Sequence, residues 1–559
     1  MASRLGFLLG MCFAVTLALA TTAWAEKGPP CVRPAAGSVA TPSPSLYSQN
    51  GVLDVDLVYS SSTDDAGRTL YCFITSNGVE APTLHVKPGD TLNINLSNKV
   101  GRPVPPHLPR MMMDMASGAC GDTNQNSTSV NMHFHGANIR PACHSDEVIH
   151  TLVNNGKTFQ YHIAFPKSEP PGLYWYHPHV HGQSETAVLG GGTGAIIVEG
   201  IEKYQPDVAG LRERVLEVRD QTVANNPPPG GKIPSWDLSL NYVPISYPDE
   251  IPAVLDVKPG RREFWRVVNS SADTILDLVL KYDGVEQPME VVALDGVPTG
   301  SQDGTGRGKP VVVRHIVLPT AGRAEFIVTT PTSGVKRGVF ETRRLDTGPG
   351  GDNDPARTLA VLKSAKDDDG VTTMRSMPAP TSETLPAPLF ARLDDAQVTA
   401  RRKLYFSEDS KIPPNGRAEN RINFYITVDG ARPTLFNSDN PPAIVTTKGA
   451  VESWTIENRT NEVHEFHMHQ IHFKLLKRDG AVVPPREQQY LDTVQVPYWT
   501  GTGPYPSVTV LMDFRGHVVG DFVYHCHILE HEDGGMMAII RVLPPGGSAS
   551  AAQSHTPES

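Results

Sequence analysis

Four short motifs gather histidine, and in the last of them a cysteine and a methionine join it. They are Asn131-Met-His133-Phe-His135-Gly136, Trp175-Tyr-His177-Pro-His179-Val-His181-Gly182, His464-Glu-Phe-His467-Met-His469 and His525-Cys526-His527-Ile-Leu-Glu-His531-Glu-Asp-Gly-Gly-Met536. Of the 20 histidines, only His315 lies between His181 and His464. Ordinary core or surface histidines would not segregate in this way. In an extended strand the two rings of a His-x-His pair share one face, about 7 Å apart at Cα, so both reach one metal cluster. Imidazole suits copper, zinc and iron, and a single thiolate among imidazoles selects a soft ion. One such pair is ambiguous between ligation and structure; four together point to metal chemistry.

The fourth motif is the most specific. Cys526, a histidine five residues later (His531), a methionine ten residues later (Met536) and an upstream histidine such as His464 make the His₂Cys set with axial methionine of a blue-copper site. If this segment is a strand, His525 and His527 point to the face opposite Cys526. A second metal cluster would then sit directly behind the first, joined to it by covalent bonds. That layout implies one-electron oxidation in front and a multi-electron reduction behind.

Three repeats supply the elements that must hold these motifs. Gly89 to Asn98, Gly260 to Asn269 and Gly449 to Asn458 share one glycine-to-asparagine offset. Lys87, Lys258 and Lys448 precede the glycines, and apolar pairs follow: Ile94 and Leu96, Trp265 and Val267, Trp454 and Ile456. A turn followed by a period-2 run predicts a strand entering a sandwich. Gly and Pro, at 49 each, agree with short strands and frequent turns. The expected fold is therefore all-β, with one sandwich per repeat. The first is expected over 26–200, ending after the glycine-rich run Gly190 to Gly194, and the second over 201–364. A charged and proline-rich stretch, 365–400, reads as a linker, 401–545 as the third sandwich and 546–559 as a small, polar, disordered tail.

Residues 1–25 read as a signal peptide: Arg4, an apolar run from Leu5 to Ala20, then Ala23-Trp24-Ala25 as a cleavage site. An exported protein, periplasmic or secreted, is expected, and no later run is apolar and long enough to span a bilayer. The formal net charge of −11 argues against a nucleic-acid partner, which would want a basic face. Five cysteines remain after cleavage. Cys31, Cys72, Cys120 and Cys143 allow three disulfide connectivities, of which Cys31–Cys72 with Cys120–Cys143 is expected because the second pair brackets one motif. Cys526 stands apart as the unpaired thiol.

The four motifs and three repeats resemble those of the three-domain multicopper oxidases, which include laccases, bilirubin oxidases, ferroxidases and cuprous oxidases. The stretch from His525 to Met537 is most similar to bacterial spore-coat laccases. The resemblance covers nearly the whole mature chain and implies three cupredoxin-like Greek-key β-sandwich domains with four copper ions. Type 1 copper would be held by His464, Cys526 and His531, with Met536 axial. Type 2 copper would take His133 and His467. The two type 3 ions would take His135, His177 and His527 on one side and His179, His469 and His525 on the other. The implied reaction removes four single electrons from a donor and reduces dioxygen to two waters. It consumes four protons, for which Asp146 and Glu532 occupy the positions of the family's acidic proton carriers. His181 and His472 fall outside the ligand pattern, and Asp492 in Tyr490-Leu-Asp-Thr-Val494 recurs in the family without an assigned role.

The donor is expected to be a small molecule. An axial methionine suits phenols, aromatic amines or metal ions, and a laccase-like phenol oxidase is the leading expectation. A cuprous or ferrous oxidase is second. Met111-Met-Met-Asp-Met115 could bind Cu(I) through thioethers or simply pack a loop, and a ferroxidase would need carboxylates around His464 or His531, where Glu465 is adjacent in sequence. A copper-sequestering protein, which needs the metal sites but not dioxygen reduction, is disfavoured by the complete trinuclear set and the two candidate proton carriers, and a copper nitrite reductase is weaker because it does not need four paired-histidine motifs.

Overall fold

A computed structural model describes residues 30–101, 120–301, 307–364, 375–379, 388–411 and 421–547. The expected signal peptide, most of the tail and the Met111–Met115 run lie outside the described residues. The structure is all-β, as expected, and its strands form three two-sheet sandwiches, each with a separate core. Among the described residues, no helix is long and apolar enough to cross a membrane.

Each repeat becomes a central strand: Thr91–Asn98, Arg262–Asn269 and Val451–Asn458. Each pairs in parallel with an earlier long strand and antiparallel with a later one, so the three occupy equivalent places in their sheets. Their alternate residues Leu92, Ile94 and Leu96, Trp265 and Val267, and Trp454 and Ile456 fill the three cores. The last two repeats share a further device. Trp265 donates its indole N–H to Glu263 and Trp454 to Glu452, at 2.9 and 2.8 Å. Each glutamate also takes an arginine from the parallel neighbour strand, Arg214 and Arg402.

The fixed asparagine has a physical reason. Asn98, Asn269 and Asn458 are fully buried at their strand ends, and their amide N–H groups donate to carbonyls of loops crossing from the opposite sheet. Their Oδ1 atoms accept the N–H two residues on, at 3.0, 3.3 and 2.9 Å. One side chain thus ends the strand and satisfies carbonyls that would otherwise be buried without partners.

The sandwiches are not strung on loose connections. Val39 bridges to Val254 and Ala40 enters the second core, so the first unit reaches into the second. The stretch 365–400, read from composition as a linker, is not a free spacer where it is described. Phe390 and Leu393 are buried with Val297 of the second sandwich and Val451, Tyr490 and Leu511 of the third. Proline content signalled an irregular backbone there, but two apolar side chains still find an interdomain cleft. Both expected disulfides are formed, Cys31–Cys72 and Cys120–Cys143, and Cys526 is free and buried.

Replacing Asn269 with alanine should therefore cost about 1–3 kcal/mol for each carbonyl left without a partner. Urea unfolding would measure it, and a loss below about 0.5 kcal/mol, the level of an ordinary surface change, would contradict this account of the repeat.

Candidate metal centre

The four motifs lie on two pairs of adjacent strands. In the first sandwich, His133–His135 runs antiparallel to Gly172–His177, with His133 opposite His177 and His135 opposite Trp175. In the third, His464–Met468 runs antiparallel to Gly520–Cys526, with Phe466 opposite Cys526 and His467 opposite His525. The rings from the two sandwiches interleave. His133 stacks on His469 at 3.9 Å between ring centres and His135 on His467 at 4.1 Å. His179 meets His525 edge-on at 5.1 Å, and His527 lies 5.0 and 5.7 Å from His135 and His177. All eight cluster histidines expected from the motifs meet at this one interface, at most 1 % exposed.

Most of the rings are held from behind, His469 excepted, and this decides which nitrogen faces inward. Nδ1 of His133 lies 3.0 Å from both oxygens of Asp146. Nδ1 of His177 meets the Pro178 carbonyl at 2.9 Å, and Nδ1 of His467 the Asp492 carbonyl at 2.9 Å. Nδ1 of His525 meets the Cys526 carbonyl at 2.8 Å. His135 is reversed: its Nε2 lies 3.1 Å from Asp492 Oδ1. The opposite atoms, Nε2 of His133, His177, His467 and His527 and Nδ1 of His135, are buried without hydrogen-bond partners. Burial and the neighbouring imidazoles push the His133 and His527 rings well below the ordinary histidine range, and burial pushes His179 down to about 4. These are neutral imidazoles with lone pairs converging on common points. Three-donor sets such as His179, His469 and His525 lie within 4.8 Å of one another. A metal ion fits such a set, since otherwise each orphaned nitrogen would cost about 1–3 kcal/mol.

The second site lies on the other face of the Gly520–Cys526 strand. The Cys526 sulfur is 3.6 Å from Nδ1 of His464 and 3.6 Å from Nδ1 of His531, and these two nitrogens are 3.0 Å apart. His531 sits in the helical turn Leu529–Asp533, and Gly535, at φ +114°, turns the chain back. Met536 then returns to the strand, its carbonyl accepting the Cys526 N–H at 3.1 Å. An alanine at 535 would be strained and would meet Leu435 at 2.6 Å. Met536 is fully buried in the same core cluster as Cys526. The Glu465 N–H donates to the sulfur at 3.3 Å, a bond that suits a thiolate. Burial pushes the Cys526 thiol up, and a bound soft ion would offset this by holding the sulfur as thiolate.

Both sequence-proposed acids touch the cluster. Asp146 backs His133 and also accepts the Phe134 N–H and the Gln470 amide. Glu532 Oε2 is 3.2 Å from Nδ1 of His525, and its Oε1 is 3.6 Å from Nδ1 of His179. Burial pushes both carboxyls up, for Glu532 with help from Asp533. Glu465 turns away from the cysteine site, its carboxylate accepting the Thr320 N–H at 2.9 Å. His472 contacts the Asp295 carbonyl at 2.9 Å, and His181 packs on Phe436.

Sequence reasoning passed over the carboxylates that do stand beside the cysteine site. Glu408 Oε1 lies 3.4 Å from His464 Nε2, and Glu462 Oε1 3.2 Å from His531 Nε2. Glu462 sits two residues before His464, a signal that could have been read; Glu408 comes from another strand. Glu462 is raised to about 10 by burial and then by Glu408, while His464 draws Glu408 below its usual range against burial. The two carboxyls are hydrogen-bonded to each other. Thr320, whose hydroxyl donates to the His527 carbonyl at 2.6 Å, comes from the histidine-poor middle sandwich and carries no motif.

Models of the family described as multicopper oxidase match residues 121–203 and 412–546. The chain is 28% identical over 296 residues to a laccase of Haloferax volcanii, an alignment covering 51% of this chain and 44% of that protein. The chain thus spans less than half of that relative's length. It is 22% identical to a multicopper oxidase of Staphylococcus aureus, over 82% of this chain and 81% of that one. A Campylobacter jejuni multicopper oxidase, described as a metallo-oxidase, superposes with a TM-score of 0.64 at 19% identity, covering 91% of this chain and 96% of that one.

A chain lacking residues 1–25, unfolded without reductant, should titrate one thiol, and that thiol should resist a bulky reagent in the folded state. Three or five reactive thiols would contradict the assignment of Cys526 as the single free ligand.

Proposed function

Since the chain belongs to the multicopper oxidase family, we propose that it couples one-electron oxidation of a small donor to four-electron reduction of dioxygen to water. The observation that carries this reading is the single strand bearing Cys526 toward one site and His525 and His527 toward the other. Copper held by His464, Cys526, His531 and Met536 would supply the one-electron couple. Three more ions, one on His133 and His467 and two on the remaining six histidines, would supply the site of dioxygen reduction. Cys526 and the backbone to its neighbours give electrons a covalent route between the sites. Asp146 and Glu532, held at the rear nitrogens of His133, His525 and His179, are placed to keep and deliver protons. The interleaved rings and the surrounding core exclude bulk water from all of these groups.

The donor edge favours a cation. His531 reaches closest to the surface of the three cysteine-site ligands, at 5% exposed. Its outer nitrogen and that of His464 carry Glu462 and Glu408, and the carboxylates of Glu530 and Asp352 add negative charge near Glu462. Two adjacent carboxylates are natural ligands for a metal ion, and the carboxylate requirement set from the sequence is met by these residues rather than by Glu465. This supports a metal-ion oxidase. The laccase-like reading keeps one specific support: a cavity of about 370 Å³ beside Glu408 and Thr460 is walled by Trp499 and Pro349, which suits an aromatic ring. Export is part of the proposal, and the two disulfides suit an oxidising compartment.

Two experiments test this. Cys526→Ser should abolish both the blue absorption and oxygen uptake; retention of donor oxidation would exclude the cysteine as the electron entry, and a protein that merely sequesters copper would have no uptake to lose. Glu462→Gln and Glu408→Gln should lower kcat/KM for Fe(II) about tenfold or more, some 1.4 kcal/mol each, while a dimethoxyphenol changes by less than about threefold. Equal losses for both donors would return the assignment to the laccase-like reading.

A further inference from the structure

The middle sandwich holds none of the expected metal ligands, yet it sends one charged group to the heart of the cluster. Arg323, on strand Arg323–Thr329, is fully buried. Its guanidinium grips the Asp492 carboxylate with both outer nitrogens, NH1 to Oδ1 at 2.8 Å and NH2 to Oδ2 at 2.5 Å. Its remaining donors go to the Leu173 carbonyl of the first sandwich, at 3.2 Å, and to the Ala321 carbonyl, at 3.1 Å. Asp295, also of the middle sandwich, accepts the Arg323 and Asp492 N–H groups at 2.9 and 3.1 Å.

Asp492, in the third sandwich, is fully buried and touches ligands of two domains. Its Oδ1 meets Nε2 of His135 at 3.1 Å, from the first sandwich. Its backbone carbonyl meets Nδ1 of His467 at 2.9 Å. Thr493 adds its hydroxyl, 3.1 Å from the same His467 nitrogen. The space beside these groups is closed: a Cβ at Gly136 would lie 2.3 Å from Arg323 and 2.8 Å from Asp492. An imidazole that gives one N–H to a carboxylate must turn its other nitrogen away from it, and such partners fix both tautomer and ring orientation. His135 is the ring that turns Nδ1 rather than Nε2 inward, and Asp492 is the group on its other side.

We propose that Asp492, locked by Arg323 of the middle sandwich, is the positioning residue that sets the inward nitrogens of His135 and His467 and so joins the first- and third-domain halves of the cluster into one metal site. The inference rests on the oxidase reading given above. The middle domain, on this account, serves the cluster by ordering its ligands. A planar, bidentate guanidinium fixes the carboxylate plane as well as its charge, which a lysine could not do.

The test compares copper-loaded wild type with Asp492→Asn and Arg323→Lys, by copper content and by electron paramagnetic resonance. In Asp492→Asn the side chain can present an N–H where His135 needs an acceptor. Copper at the cluster should bind roughly 10- to 100-fold more weakly, and because the carboxylate meets His135 while only the backbone carbonyl meets His467, the loss should fall on the type 3 pair, read as missing copper and as a new paramagnetic signal from an uncoupled ion. The blue type 1 absorption, which does not depend on Asp492, should persist at wild-type intensity per chain. Arg323→Lys should show the same selective loss to a smaller degree, and it serves alone if the asparagine variant does not fold. Full copper with no new paramagnetic signal in the folded variants would overturn the positioning role. Parallel loss of type 1 and cluster copper would overturn it too, since a merely structural contribution would weaken both sites together. A wild type that shows no type 2 signal under the same loading would bring down the oxidase reading itself, and the clamp with it.

Discussion

The structure depends on burying eight neutral imidazoles between two domains while pairing most of their outer nitrogens. Each ring needs a partner behind it and a lone pair in front, and both demands act in a dry interior where an unmatched polar atom costs about 1–3 kcal/mol. The first sandwich provides Asp146 and the Pro178 carbonyl, and the third provides Asp492, Glu532 and the Cys526 carbonyl. Many of these partners lie on the ligand strands or close to them. The two hairpin-like strand pairs therefore carry their own supports, and the domain interface forms where the supported rings interleave.

Seen from this requirement, the middle sandwich is a brace. It reaches the third domain through Thr320, which accepts no metal role but ties Glu465 and the His527 carbonyl, and through the Arg323–Asp492 pair. A buried pair of this kind contributes little net stability compared with an apolar substitute, but removing one partner is costly, by about 3–5 kcal/mol. Its value is in geometry. The Phe390 and Leu393 contacts hold the second and third sandwiches together by burial alone, without directing any ring.

Much of this was legible from the sequence, and the physical reason is periodicity. His-x-His and Cys526 with its flanking histidines are statements about strand faces, and strands obey the period of two. The glycine-to-asparagine offset was legible as a strand, though the role of Asn98, Asn269 and Asn458 in capping carbonyls of crossing loops needed the structure. What sequence could not give were partners brought together by topology alone. Arg323 and Asp492 are 169 residues apart, and His135 and Asp492 are 357 apart. Glu408 reaches His464 from a strand of the other sheet, so the adjacent Glu465 drew attention although its side chain points to Thr320. Composition marked 365–400 as a connection but could not place its side chains, because proline reports on backbone irregularity and says nothing of where Phe390 will pack.

The most direct test of the central claim, two sites joined by one strand into a four-electron machine, is the ratio of donor oxidised to dioxygen consumed by the copper-loaded protein. The account predicts four one-electron donor equivalents per dioxygen, with no hydrogen peroxide detected, whichever donor is used. A ratio of two with stoichiometric peroxide would contradict it, because the cluster would then not be completing the reduction to water.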